Sequence, residues 1–262
     1  MPSSALHVAR TGLEAQDARM RVIANNLANV GTTGFKRDRA NFATLAYQDA
    51  RVAGQQSSNE TTYATGMNLG TGVSVQSTTR IETQGTLATT NNSLDLALDG
   101  DGYFQVQLPG GQLGYTRAGN FTRSSDGQLV TTQGYAVQPP ITIPEGTTSV
   151  SVSADGSVSA TVAGQTDATQ LGQITIASFV NPGALQPAAD NFMLETGASG
   201  QAQIGIAGEN GRGNIRQGML EGSNVNIVEE LVDMIETQRA YEINSKMISA
   251  VDEMLRNANQ TL

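Results

Sequence analysis

The run ALDGDGYF, from Ala97 to Phe104, sets two aspartates among glycines, a composition that can hold a calcium ion. A loop of the EF-hand type needs an oxygen ligand at its fifth position and a glutamate at its twelfth. Counted from Asp99, those positions are Tyr103 and Gly110, so the pattern fails and the run reads as a tight turn between strands. Glu229, Glu230 and Asp233 could be set out as a general acid and base. Their better reading is solvated charge near the start of a helix, where the macrodipole favours it. The lone histidine, His7, rules out a two-histidine zinc site within one chain and leaves a hydrolase triad without an obvious base. Cysteine is absent, which removes thiolate ligands and disulfides. The 29 glycines form no dinucleotide or P-loop signature, and GMNLGTGV is only a loose cluster. Lys36, Arg37 and Arg39 make a basic patch flanked by Phe35 and Phe42, but they lack the interleaved aromatics of a base-stacking surface. With a net charge of −9, the chain is not expected to bind nucleic acid. No catalytic residue, cofactor or metal is expected, and the protein is not read as an enzyme.

The elements around these residues are of two kinds. Ser4 to Val30 reads as one amphipathic helix, with Leu6, Leu13, Met20 and Leu27 every seven residues and Ala9, Ile23 and Val30 three further on. Gly12 inside it costs about 1 kcal/mol against alanine, which suggests close packing. Gly31 supplies the stop. Asn25, Asn26 and Asn29 are poor helix formers. They mark either a frayed turn or amides that bridge to another chain, and bridging is favoured. A longer helix runs from about Asn226 to Asn257, with Ile227, Met234, Tyr241, Ile248 and Leu255 at heptad spacing and Leu231 and Val251 widening the stripe. Asn226 and Glu229 have capping-box spacing. The middle, Gln84 to about Phe192, reads as mainly antiparallel β, with hairpin turns at Asp126-Gly127 and Asp155-Gly156. Two long polar stretches, Gln48 to Val73 and Thr196 to Asn214, need a function or a neighbour to order them.

The expected architecture is α+β. The terminal helices pair in a coiled-coil-like inner domain (1–30 with 218–262), a linker and arm follow (31–83), and a central antiparallel β domain completes the chain (84–217). A bare helix pair is a weak object in water, because its apolar faces are only half covered. Lateral burial against copies of the same chain would complete it. The chain has no apolar run long enough to cross a membrane, so stable membrane insertion is not expected. Nor is a cleavable secretory signal expected, because the first residues lack a basic segment followed by an apolar core.

Particular stretches carry a resemblance. ANNLANVGTTGFKRDRANF, from Ala24 to Phe42, and GMLEGSNVNIVEELVDMIETQRAYEINSKMISAVDEML, from Gly218 to Leu255, resemble the two terminal signatures of the flagellar rod and hook family. LALDGDGYFQV and YTRAGNFTRSSDGQLVTTQGY resemble its shared β region, and QQSSNETTYATGMNLGTGV resembles the segment that marks its distal-rod members. The resemblance implies a subunit of a helical homopolymer, a hollow rigid shaft that transmits torque to the hook and passes exported subunits. Implied partners are copies of itself, proximal rod proteins, the hook protein, the P-ring and L-ring proteins and, in transit, the flagellar type III export apparatus. The implied place is the basal body, from periplasm to outer membrane. Leu6, Leu13, Met20, Ile23, Asn26, Leu27, Asn29, Ile227, Leu231, Met234, Tyr241, Ile248 and Leu255 are the expected assembly residues of the inner helices. Gly31, Gly34, Phe35, Lys36, Arg37, Phe42, Gln56, Ser57, Met67 and Gly70 are the expected linker and subunit contacts. The alternatives are a proximal rod or hook subunit and, from another class, a secreted glycan-binding or glycan-cleaving β-domain protein.

Overall fold

The computed structural model describes residues 2–56, 62–164 and 167–260. They group into two compact units: residues 1–27, 38–79 and 226–262 in the first, residues 28–37 and 80–225 in the second. The fold is α+β, with two long packed helices and a mostly antiparallel β domain.

The first unit holds α1 (Pro2–Ala28) and α2 (Ile227–Gln260). They pack antiparallel, because pairs across them run in opposite senses: Arg19 Nη2 lies 3.3 Å from Asp233 Oδ1, and Asn26 Nδ2 donates to Glu230 Oε2 at 3.2 Å. A Cβ at Gly12 would stand 3.0 Å from the Asn244 amide, so the glycine allows close approach there. Asn226 caps α2 by accepting from Val228 N–H at 3.1 Å. Asp17 and Arg21 pair four residues apart on the exposed side of α1. Beside the helices are β1 (Asp38–Thr44), β2 (Tyr47–Arg51), β3 (Met67–Gly70) and β4 (Val73–Arg80). β1 pairs with β4 and β2 with β3, so part of the Gln48 to Val73 stretch is a hairpin. Arg51 lies over the Tyr63 ring, 4.1 Å from its centre.

The second unit opens with β5 (Leu87–Thr89), β6 (Leu96–Asp99), β7 (Tyr103–Gln107) and β8 (Leu113–Thr116). Next come β9 (Phe121–Arg123), β10 (Leu129–Thr131) and β11 (Val137–Gln138). β12 (Thr147–Val152), β13 (Ser157–Val162) and β14 (Thr169–Gln173) form a three-stranded sheet. β15 (Thr175–Ser178), β16 (Gln186–Pro187), β17 (Met193–Leu194) and β18 (Gln203–Ile206) complete a seven-stranded sheet with β7, β8 and β11. β19 (Asn214–Gln217) returns to β6, and β20 (Met219–Glu221) to β5.

Both Asp-Gly turns join antiparallel strands, β9 to β10 and β12 to β13, with Gly127 and Gly156 in the left-handed region. The core gathers Leu96, Leu98, Phe104, Val106, Phe121 and Ile176. Phe104 and Phe121 meet edge to face at 5.2 Å. The Thr196 to Asn214 stretch contributes a strand, β18, which pairs only with β15.

Candidate assembly site

The chain leaving α1 makes a left-handed turn at Gly34, φ +67°, and not at Gly31. A Cβ on Gly34 would lie 2.6 Å from the Arg117 carbonyl carbon, so only glycine lets the backbone pass. The turn delivers Phe35 and Lys36 into the interior of the β unit. Two other segments arrive beside it. Asn224 accepts from Arg37 N–H at 2.7 Å, and its side-chain nitrogen donates to the carbonyls of Ile81 and Thr83. Gly34 N–H donates to the Glu221 carbonyl, and Ile81 N–H to that of Arg37. Residues 34–37, 81–85 and 221–224 are thereby stitched into one junction.

At its centre is a buried ion cluster. Glu221 is fully buried and Lys36 is 2% exposed. Lys36 Nζ donates to Glu221 Oε1 at 2.6 Å and to the Thr83 carbonyl at 2.8 Å. Gly85 N–H donates to the same carboxylate oxygen at 3.0 Å. Arg117 Nε stands 3.2 Å from Glu221 Oε2, and its Nη1 donates to the carbonyls of Gly100 and Gly102. The Tyr103 ring lies beside Arg117, and its hydroxyl donates to Glu82 at 2.8 Å. Burial and the Arg117 charge pull the Lys36 pKa below the ordinary lysine value, against the hydrogen bond and charge of Glu221 and the charge of Glu82. Burial, then Glu82, pushes the Tyr103 hydroxyl well above the ordinary tyrosine value. Within the cluster Glu221 is set against both Lys36 and Arg117. Among the described residues there is no group of three or more His, Cys, Asp or Glu side chains fit to hold a metal ion. His7 lies on a groove of about 540 Å³ between the start of α1 and the β2–β3 hairpin, with Asp49 the other ionisable residue on its wall.

The helices distribute their residues in a different way. The line of α2 that meets α1 is polar: Glu230 and Thr237 are buried, and Asn244 faces Gly12. Glu230, read from sequence as solvated charge, is bound to the Asn26 amide. Asn26 also donates to the Asp38 carbonyl and accepts from Asp38 N–H, so its amide is engaged within the chain. Ile23 is buried, while Leu6, Leu13, Met20, Leu27 and Asn29 are half-buried. On α2, Met234, Ile248 and Leu255 are half-buried on the shoulder of the seam, and Ile227, Leu231 and Tyr241 are exposed. A further apolar stripe lies open: Val228, Val232, Ile235, Ile243, Met247 and Met254. Gly31, Phe42, Gln56, Met67 and Gly70 are also exposed, Arg37 is half-buried, and Ser57 lies outside the described residues.

Glu221, Arg117 and Asn224 escaped the sequence reading. Each is an isolated polar residue whose partners lie tens to nearly two hundred positions away. The open stripe had a readable signal in the spacing of Val228, Val232 and Ile235, but it was masked by the stronger heptad beginning at Ile227.

A long helix with large apolar side chains left open by its own chain presents an association surface. Models of flagellar proteins match along its length: "Flagella basal body rod protein" over residues 6–36, "Flagellar hook protein FlgE/F/G D1 domain" over 97–160, and "Flagellar basal body rod FlgEFG protein C-terminal" over 216–261. It is 51% identical over 255 residues to the flagellar basal-body rod protein FlgG of Buchnera aphidicola from Acyrthosiphon pisum, covering 97% of this chain and 98% of that one. It is 46% identical to FlgG of Caulobacter vibrioides, covering 98% of both chains. Its identity to the rod protein FlgF of the same bacterium is 34%, over 99% of this chain and 98% of that one. The chain belongs to the flagellar basal-body rod protein family.

Proposed function

We propose that this chain is a structural subunit of the flagellar distal rod, polymerising helically into a hollow, rigid shaft that carries torque to the hook and passes exported subunits. The observation that carries this reading is the open stripe of α2. Six large apolar side chains at Val228, Val232, Ile235, Ile243, Met247 and Met254 are uncovered by their own chain. Uncovered apolar side chains gathered on one side of a helix are costly in water and mark an association surface. Leu231, and through it Ile227, extend it. Contacts between unlike surfaces let such a subunit grow into an open helical filament. The higher identity to FlgG than to FlgF favours the distal over the proximal rod.

The chain acts by holding shape and not by chemistry. It associates with other rod, hook and ring components. In finer detail its neighbours are copies of itself, proximal rod proteins, the hook protein and the P- and L-rings, and it reaches the periplasmic rod by type III export. The exposed β2–β3 hairpin, with Tyr47, Met67 and Leu69 on its surface, is the arm that bridges subunits and stiffens the shaft.

Electron microscopy of basal bodies from a host carrying this chain in place of its own distal rod subunit tests the reading. Straight rods labelled between the proximal rod and the hook are expected. Labelling of the hook or of the proximal rod alone refutes it. Deletion of Gln48 to Val73 is expected to give bent, hook-like rods, and equally straight rods would remove the arm's stiffening role.

A further inference from the structure

With no cysteine in the chain, its eight methionines are its only sulfur. Met193 is sealed in the β unit, 7% exposed, with its sulfur accepting from Arg80 at 2.9 Å. Met20, Met219 and Met234 are half-buried. Met247 and Met254 differ from these: they are 46% and 62% exposed, seven residues apart on one line of α2, within the open apolar stripe. Met67 is comparably exposed on β3, away from the helix stripe.

We infer that Met247 and Met254 form an oxidative modification site that gates assembly. The co-reactant is a peroxide. A sulfur lone pair attacks the distal peroxide oxygen, the O–O bond breaks, and an S–O bond forms. Hydrogen peroxide leaves as water, the sulfur having lost two electrons and the peroxide having gained them. The product is a polar, chiral sulfoxide in place of a flexible apolar side chain. A sulfoxide on the stripe would have to be buried between close-packed helices without a hydrogen-bond partner, which is unfavourable. An oxidised free subunit is therefore excluded from the shaft. A subunit already incorporated has its sulfurs covered and is protected. The gate rests on the reading that copies of this chain cover the α2 stripe, whereas the site itself rests on exposure alone.

The test treats the purified full-length chain with graded hydrogen peroxide and locates the added oxygen by peptide mass spectrometry. Met254 and Met247 are expected to oxidise severalfold faster than Met193, and equal rates overturn the site. Polymerisation, followed by sedimentation and electron microscopy, is expected to fall severalfold after oxidation and to recover with methionine sulfoxide reductases. In a Met247→Leu/Met254→Leu variant, which keeps volume and apolarity, the level of polymerisation shown by the untreated variant is expected to be unchanged by the same treatment. Loss of polymerisation in the treated variant equal to that of the wild type overturns the gate, because the damage then lies elsewhere. Assembled rods that oxidise at Met247 and Met254 as fast as free chains refute coverage of the stripe, and with it the gate, while leaving the site standing. A chain that does not polymerise at all refutes the shaft reading and the gate together, and the mass map still decides the site.

Discussion

Replacing Glu221 by glutamine tests the buried ion cluster with little change in volume. The amide can still accept from Gly85 N–H, which now reaches the carboxylate at 3.0 Å. It supplies no negative charge to Lys36 at 2.6 Å or to Arg117 at 3.2 Å. Removing one partner of a buried ion pair costs about 3–5 kcal/mol, because the charge left behind has neither water nor counter-ion. At a urea slope of about 2 kcal/mol/M, such a loss lowers the unfolding midpoint by about 2 M. The assay is urea unfolding at neutral pH, with hydrogen exchange at β5 and β20 to assign the loss to the β unit. A second change, Lys36→Met in the Glu221→Gln chain, removes one stranded cation and is expected to recover part of the midpoint. A drop below about 0.5 M, or a double variant weaker than the single one, would refute the argument that the cluster holds the junction by charge.

Other consequences can be measured on the same protein. Tyr103→Phe removes the hydroxyl that donates to Glu82 and is expected to cost about 1 kcal/mol at neutral pH. Tyr103 titrates above the ordinary tyrosine value in the folded chain, so its contribution is whole below about pH 10 and is lost as pH rises beyond that. The stability gap between wild type and variant should therefore narrow in alkali, and a constant gap would refute this. Lys36 works in the other direction: its lowered pKa makes stability rise with pH just below the ordinary lysine value. Gly34→Ala forces a side chain into the left-handed region against the Arg117 backbone and is expected to lower stability by about 1–3 kcal/mol in urea unfolding. Asn26→Ala withdraws the amide shared by Glu230 and the Asp38 backbone and should cost about 1–3 kcal/mol, read as faster hydrogen exchange at the end of α1.

The helices, the Asp-Gly hairpins and the β character of the middle were legible in the sequence, because each is written in short-range spacing. Gly127 and Gly156 sit where a turn demands them, and Asn226 caps α2 as its position predicts. The rotation of α2 about its axis was not legible. Heptad counting picks the most apolar line, through Ile227, Met234 and Tyr241. The seam itself is the line of Glu230, Thr237 and Asn244, because small and polar partners such as Gly12 and Asn26 lie opposite on α1. Lys36 shows the same limit. In sequence it belongs to an exposed basic patch with Arg37 and Arg39, and only the distant Glu221 accounts for its burial.

The junction also constrains the order in which the molecule can mature. Lys36 and Glu221 are 185 residues apart, and Leu87 pairs with Glu221 across a shorter but still long interval. Whichever end of the chain emerges first from a narrow conduit, the β unit lacks either its cation or its carboxylate until the opposite end has followed. On the export route proposed above, a half-threaded chain therefore cannot close this junction, whose ion pair forms only on release.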